Sequence, residues 1–381
     1  MLPRRIAVNT RFLLKDKMEG IGWFSYETLK RICATHPDIE FHFLFDRSYH
    51  EEFIFSPNIV PHVVMPQARH PILWKWWFEI SIPTALKNIQ PDIFFSPDGY
   101  LSLKSKVPTV MVIHDLAFEH YPEFVSKTAA RFYKQNVPKY AEKARRIATV
   151  SEFSKRDIHE KYDVPLDKID VVYNGASHVF RPFNDHEKTL VKQTHTNGKE
   201  FFLYTGAIHP RKNIRRLLLS FDAFKEQTGS NMKLVLAGRQ AWMYEDILEA
   251  YKEMNHRVDV IMKGHVDQSL LADLVGSATA LVYVSLFEGF GIPIVEAMQA
   301  DTPVITSDTS SMTEIGGDAA LLIDPYSIDE IVAAMKKITT DETTRMELTE
   351  KMRIQRLKFS WNLTSEKLWS CILKASEDLV F

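Results

Sequence analysis

Short apolar runs, mostly β-branched or aromatic, alternate along the chain with longer segments of helical period, the pattern of parallel βα units. In the first half the predicted strands are 5–9 (RIAVN), 41–45 (FHFLF), 62–65 (HVVM), 92–96 (DIFFS), 109–113 (TVMVI), 146–150 (RIATV) and 170–173 (DVVY). Helices are predicted between them, among them 23–36 and 128–144; Pro138 interrupts the second, where a kink or a split is expected. The pattern stops over 181–200, a polar and charged stretch without period that reads as a linker. It restarts with strands at 201–206, 233–238, 258–264, 279–285, 303–307 and 319–324. The stretch 360–381 reads as one amphipathic helix, with Trp361, Leu368, Trp369, Ile372 and Leu373 for packing. Runs this apolar belong to strands buried on both faces, in parallel sheets covered by helices. The predicted fold class is therefore α/β: two doubly wound, Rossmann-like domains facing a central cleft, over 1–180 and 201–358.

A length of 381 residues agrees with two domains, and 45% hydrophobic with 25% charged residues excludes disordered and fibrous classes. The formal charge of -2 excludes a nucleic-acid polycation, so no nucleic-acid partner is expected. Residues 1–180 hold 24 basic and 21 acidic side chains, and 181–381 hold 23 and 28; the first half would suit an anionic partner. Cys33 and Cys371 stand far apart with no Cys/His cluster, which argues against a disulfide framework or zinc site and fits a reducing cytoplasm. Arg11 breaks the first apolar run before a signal-peptide core can form, and no stretch reaches the roughly 18 apolar residues of a membrane span. A soluble or peripheral protein is expected.

In doubly wound sheets, ligands sit beyond the carboxyl ends of the strands, so polar residues there carry the most functional weight. The richest segment is 285–308, SLFEGFGIPIVEAMQADTPVITSD. A buried strand ends at Ser285, and Glu288 with two glycines leads into a helix starting near Pro293. The amides of Phe290, Gly291 and Ile292 would lie at the positive end of that helix. Glu296 follows eight residues after Glu288. The plainer reading makes Glu296 a dipole-stabilising acid and the glycines a tight turn; the two carboxylates together can hold two hydroxyl-bearing parts of one ligand. A second segment, FFLYTGAIHPRKN, ends a strand at Gly206 and delivers Arg211 and Lys212 to a helix start, an anion site suited to a diphosphate. It lacks P-loop spacing, so nucleotide hydrolysis is not the natural reading. A third strand ends at His114 and Asp115, where an imidazole can hydrogen-bond a substrate. Trp74, Trp76, Trp77 and Phe78 cluster in 70–86; core packing is the plainer reading, an interfacial membrane patch the other.

Together these segments resemble the retaining glycosyltransferases of family 4, or group 1. The matching residues are EGFGIPIVE, GAIHPRKN, HDLAF, ATVSEFSKRDI, YNGAS, SSMTEIGGDAALLIDP and the late FSW, in order along nearly the whole chain. Within the family the set is most similar to bacterial mannosyltransferases that build polysaccharides such as O-antigen and capsule. The resemblance implies a GT-B type fold, with an acceptor-side first domain, a nucleotide-sugar donor domain, and a C-terminal segment (359–381) crossing back to the first. It implies Glu288, Arg211, Lys212 and His114 as catalytic residues. Glu288 and the amides of Gly289, Phe290 and Gly291 would contact the donor sugar, and Glu296 the ribose. Arg211 and Lys212 would neutralise the departing diphosphate, and His114 would contact the transferred sugar. Gly206 and Ile292 complete the donor loops, and Gly20 and Gly22, in the loop after the first strand, would allow close approach near the diphosphate.

The implied partners are a nucleotide sugar, most simply GDP-mannose as co-substrate, and a glycan or lipid-linked glycan acceptor, with no metal and no other cofactor. Three positions depart from the family pattern: Asn9 replaces a common Asp, and Val284 and Thr313 replace prolines. Two alternatives share the fold: a UDP-sugar donor, or a catalytically silent sugar-nucleotide-binding subunit. The intact Glu288, Glu296, Arg211 and Lys212 argue against silence. An NAD-dependent oxidoreductase would need a GxGxxG in a first βα turn, which is absent.

Overall fold

A computed structural model describes residues 3–15, 17–68, 71–239 and 245–377. The chain forms two compact units: Met1–Asn174 with Ser360–Phe381, and Gly175–Phe359.

Unit 1 is built on seven parallel strands: β1 (Arg5–Asn9), β2 (Glu40–Phe45), β3 (Ile59–Val63), β4 (Ile93–Ser96), β5 (Thr109–Ile113), β6 (Arg146–Thr149) and β7 (Ile169–Val171). Their order is β3-β2-β1-β4-β5-β6-β7, so the winding reverses between β1 and β4, where Ile6 pairs with Ile93. Phe41, Phe43, Phe94, Phe95 and the 110–113 run fill the core, as expected of strands covered on both faces. The strand expected at 62–65 lies earlier, at Ile59–Val63, and includes Pro61. That proline is tolerated because β3 is an edge.

Of the kink or split expected at Pro138, the split does not occur: one helix runs over Lys127–Lys143, its far half held by buried Val137, Tyr140 and Ala141. The C-terminal helix Trp361–Glu377 lies along Gly20–Thr35 and against β6. Thr364 donates to the Tyr173 carbonyl, Arg31 donates to Asn362 at 2.8 Å, and Lys374 pairs with Asp170. Trp361, Leu368 and Ile372 face inward, and Trp369 lies 3.9 Å from the His36 ring, centre to centre.

Unit 2 has six parallel strands: β8 (Phe201–Thr205), β9 (Lys233–Ala237), β10 (Val260–Gly264), β11 (Ala280–Tyr283), β12 (Val304–Ser307) and β13 (Leu321–Ile323). The order β10-β9-β8-β11-β12-β13 reverses between β8 and β11. The polar stretch 181–200, expected as a linker, instead holds the helix Asp185–Thr196. Only Val191 and Thr196 are buried on it, so it carries almost no hydrophobic period to read. A capping box starts it: Asn184 accepts from the Glu187 amide at 2.9 Å and Glu187 accepts from the Asn184 amide at 2.9 Å.

Candidate active site

At the reversal of a doubly wound sheet the loops after the two central strands part in opposite directions and leave a crevice between them. In unit 2 those loops are 206–213 after β8 and 284–291 after β11. Gly206 has φ +130°, and a Cβ on Gly238 would stand 1.7 Å from the Gly206 carbonyl oxygen. Glycine at both places lets the β8 and β9 loops lie against each other. The Pro210–Lys212 turn then presents two cations, with the Arg211 amide donating to His209 at 3.3 Å. Asn213, in the left-handed region at φ +60°, anchors the turn from beneath by donating to the carbonyls of Val284 at 3.0 Å and Pro325 at 2.7 Å. The Leu286 amide donates to the Arg211 carbonyl at 2.9 Å, so the two loops are fastened together.

This fastening brings Arg211, Lys212 and Glu288 together. Arg211 lies 3.1 Å from one Glu288 oxygen and Lys212 pairs with the other. Lys212 also donates to the Tyr283 hydroxyl at 2.8 Å, and the Tyr283 ring stacks against Tyr204 at 6.1 Å. Glu288 is only 7% exposed. Burial alone would raise its pKa, but Arg211 and Lys212 outweigh it and hold the carboxyl at about 2. Two cations against one carboxylate leave the cluster with a surplus positive charge at the mouth of the sheet. That is an anion site with its own internal counter-ion.

The loop carrying Glu288 is braced from the β12 side. The Glu288 amide donates to Ser310 Oγ at 3.1 Å, and Ser311 Oγ donates to the carbonyls of Glu288 at 2.9 Å and Phe290 at 3.1 Å. Gly291, at φ +98°, turns the chain into the helix Ile292–Gln299 with Pro293 in its first turn. Glu296, on that helix, is half-buried and makes no side-chain hydrogen bond or ion pair with a described residue. Burial without a counter-charge raises its carboxyl to about 7. Gly206, Gly289, Phe290, Gly291, Ile292 and Glu296 thus share the loops and helix start that hold the three charged residues.

His114 and Gly22 belong to unit 1. His114 follows β5, and its Nε2 lies 2.8 Å from the Pro97 carbonyl, with the Phe24 ring edge-on at 5.1 Å. A carbonyl only accepts, so Nε2 carries the proton and Nδ1 presents a lone pair. Burial lowers the pKa, which keeps the ring neutral. Gly20 and Gly22 lie in the first turn of the helix Gly20–Thr35, not in a loop; a Cβ on Gly22 would meet the Phe12 carbonyl at 2.8 Å. Nearby, Arg11 and Asp98 form a buried ion pair, with Asn9 donating to Ser96 at 3.1 Å and Ser96 to Asp98 at 3.2 Å.

Sequence reasoning did not single out Tyr283, Asn213, Ser310 and Ser311 for this site. Tyr283 reads as one more apolar strand residue. The serines stand in the 310–325 segment that matches the family, a signal that marks the segment without saying what it braces.

Two parallel α/β domains, with a cation pair and a carboxylate fastened at the reversal of the second sheet, define a class. Residues 20–178 match the family model for Glycosyltransferase Family 4, and 185–355 match that for Glycosyl transferases group 1. The chain belongs to this glycosyltransferase family. It is 28% identical over 376 residues to O-antigen chain mannosyltransferase B of Escherichia coli, covering 93% of this chain and 96% of that one. To O-antigen chain mannosyltransferase RfbU of Salmonella typhimurium it is 27% identical, covering 74% of this chain and 75% of the other. Its fold is like that of WaaG, a glycosyltransferase involved in lipopolysaccharide biosynthesis (TM-score 0.75, 15% identity, 97% and 99% of the chains). Anabaena HepE, solved with UDP-glucose, is similar (TM-score 0.76, 14% identity, 97% and 99%), and the shared fold is the two-domain GT-B type.

Proposed function

We propose that this glycosyltransferase moves mannose from GDP-mannose, with retention at the anomeric carbon, onto a glycan or lipid-linked glycan during polysaccharide assembly. The observation that carries the reading is the Arg211–Lys212–Glu288 cluster. An incoming diphosphate exchanges for Glu288 as the partner of the two cations, and the freed carboxylate turns to the sugar. As the bond from the anomeric carbon to the phosphate oxygen breaks, charge builds on the diphosphate, where preorganised cations act most strongly. A glycosidic bond forms to the acceptor oxygen, and the departing phosphate oxygen takes the acceptor's proton. Since the departing phosphate oxygen itself takes the proton, this same-face route needs no separate base on the acceptor side. Glu296 accepts from the ribose hydroxyls, and His114, neutral with Nδ1 as acceptor, takes a sugar hydroxyl. Because Arg211 and Lys212 supply the neutralising charge, transfer proceeds in EDTA without a divalent metal. The mannosyl donor is supported by the relatives named as mannosyltransferases.

Melting temperatures across GDP- and UDP-sugars, followed by NMR of the product anomer, test the reading. GDP-mannose at 100 times its Kd should add about 2.7 kcal/mol of stability, and the product should be the α-mannoside. Stabilisation by UDP-sugars alone would move the donor assignment. Binding without turnover would leave a silent subunit.

A further inference from the structure

We propose that one face of unit 1 docks on an anionic phospholipid bilayer, an apolar row entering the interface while neighbouring basic side chains meet the lipid phosphates. The inference rests on unit 1 alone and is independent of which sugar is moved. Segment 71–89 runs as a helix (Pro71–Trp76), a π-turn (Trp77–Ser81) and a second helix (Ile82–Ile89). One side is core: Trp77 and Phe78 are buried, Trp77 donates to the Val64 carbonyl at 2.6 Å, and Trp74 packs on Phe132 at 6.0 Å. The other side stays in solvent. Ile72 is 71% exposed, Trp76 53% and Ile80 44%, each four residues from the last, so they form one row along the segment, with Leu73 exposed beside it. Core packing accounts for Trp74, Trp77 and Phe78 and leaves Trp76 without a reason to be a large aromatic. At a membrane interface an indole buries its rings and keeps its N–H hydrated.

Charge decides what covers the row. Glu79 is the one acid between 71 and 89, and it turns inward to accept from the Leu103 amide at 2.9 Å, while Lys75 and Lys87 point out. Beside the row lies the helix Lys127–Lys143, with five basic residues and one acid, Glu142. Lys127, Arg131, Gln135 and Lys139 recur every fourth position and all are exposed. An open recess between the two helices is lined by Lys75, Phe132, Gln135, Asn136 and Lys139. Apolar side chains flanked by cations of one sign fit an anionic lipid surface. A second copy of the same face would set these cations against their own kind. No helix among the described residues is long and apolar enough to cross a membrane, so the contact is peripheral.

Sedimentation of the full chain with vesicles of phosphatidylcholine, alone or mixed with phosphatidylglycerol, tests this, using Trp76→Ser/Ile80→Ser and Lys75→Glu/Lys139→Glu double variants. Wild type should bind the phosphatidylglycerol vesicles, more weakly at high salt, and each double variant should bind at least tenfold more weakly with an unchanged melting temperature. All four positions are exposed; should the apolar variant unfold, the charge variant decides. Absence of wild-type binding to phosphatidylglycerol vesicles, or variants that bind like wild type, would overturn the proposal. So would a wild-type dimer, detected without vesicles, that either variant dissociates, since the face would then be a protein interface.

Discussion

Glu288 is the counter-ion of Arg211 and Lys212 and, in the proposed reaction, becomes the sugar contact. Two outcomes separate these tasks. Glu288→Gln should lose about 100- to 1000-fold in kcat, as removal of a preorganised charge contact typically does. Yet it should bind GDP at least as tightly as wild type, because the amide no longer competes for Arg211 and Lys212. Steady-state rates beside a GDP titration check both; weakened GDP binding would show that Glu288 is not the cations' resting partner.

Glu296 gives the pH signature. Its folded pKa of about 7 lies above the ordinary 4.5, so it favours the fold below about pH 4.5 and loses that contribution as pH rises through 7. Glu288, held at about 2, does the reverse: its contribution is present above 4.5 and lost as pH falls toward 2. If the ionised Glu296 receives the ribose, GDP affinity should rise from about pH 6 to 8, with its midpoint near 7, and level off above about pH 8. Glu296→Gln should flatten that profile. A profile that persists in the variant would place the titrating group elsewhere.

At the scale of elements, the loop bearing Glu288 depends on two devices of different legibility. Gly291 is readable, since a glycine before a proline-started helix announces a turn, and the structure gives the reason: φ +98° and an Ile294 methyl 3.0 Å from where a Cβ would stand. Gly291→Ala should cost about 1–2 kcal/mol, measurable by urea unfolding. Ser311 is not readable, because its value lies in sharing its hydroxyl proton between the Glu288 and Phe290 carbonyls of the loop, which it reaches only after β11 and β12 pair. Ser311→Ala leaves those carbonyls short of a donor and should destabilise by about 1–3 kcal/mol, with kcat falling as Glu288 loosens. The same division explains the helices. Gly20–Thr35 shows its hydrophobic period in sequence, whereas Asp185–Thr196 hides because a capping box, not an apolar stripe, defines it. Pro138 misleads in the opposite sense: tertiary packing of Val137, Tyr140 and Ala141 carries the helix through a residue that locally opposes it.

Across the whole molecule, continuous apolar runs separated by helical segments were enough to read two parallel sheets, since strands buried on both faces leave no other pattern. Strand order was not readable, and it is the order that matters: reversal between β8 and β11 is what sets the RKN turn against the EGFG turn, 76 residues later in the chain. The central claim is that this meeting point receives a nucleotide diphosphate and stabilises it most when it leaves. Free GDP carries the charge that the leaving group acquires, and GDP-mannose does not yet carry it. Calorimetric titration of wild type and Lys212→Ala with both ligands, in EDTA, tests this most directly. Loss of Lys212 should weaken GDP binding at least tenfold and GDP-mannose binding distinctly less; GDP affinity unchanged by the substitution would contradict the assignment of the cluster to the diphosphate.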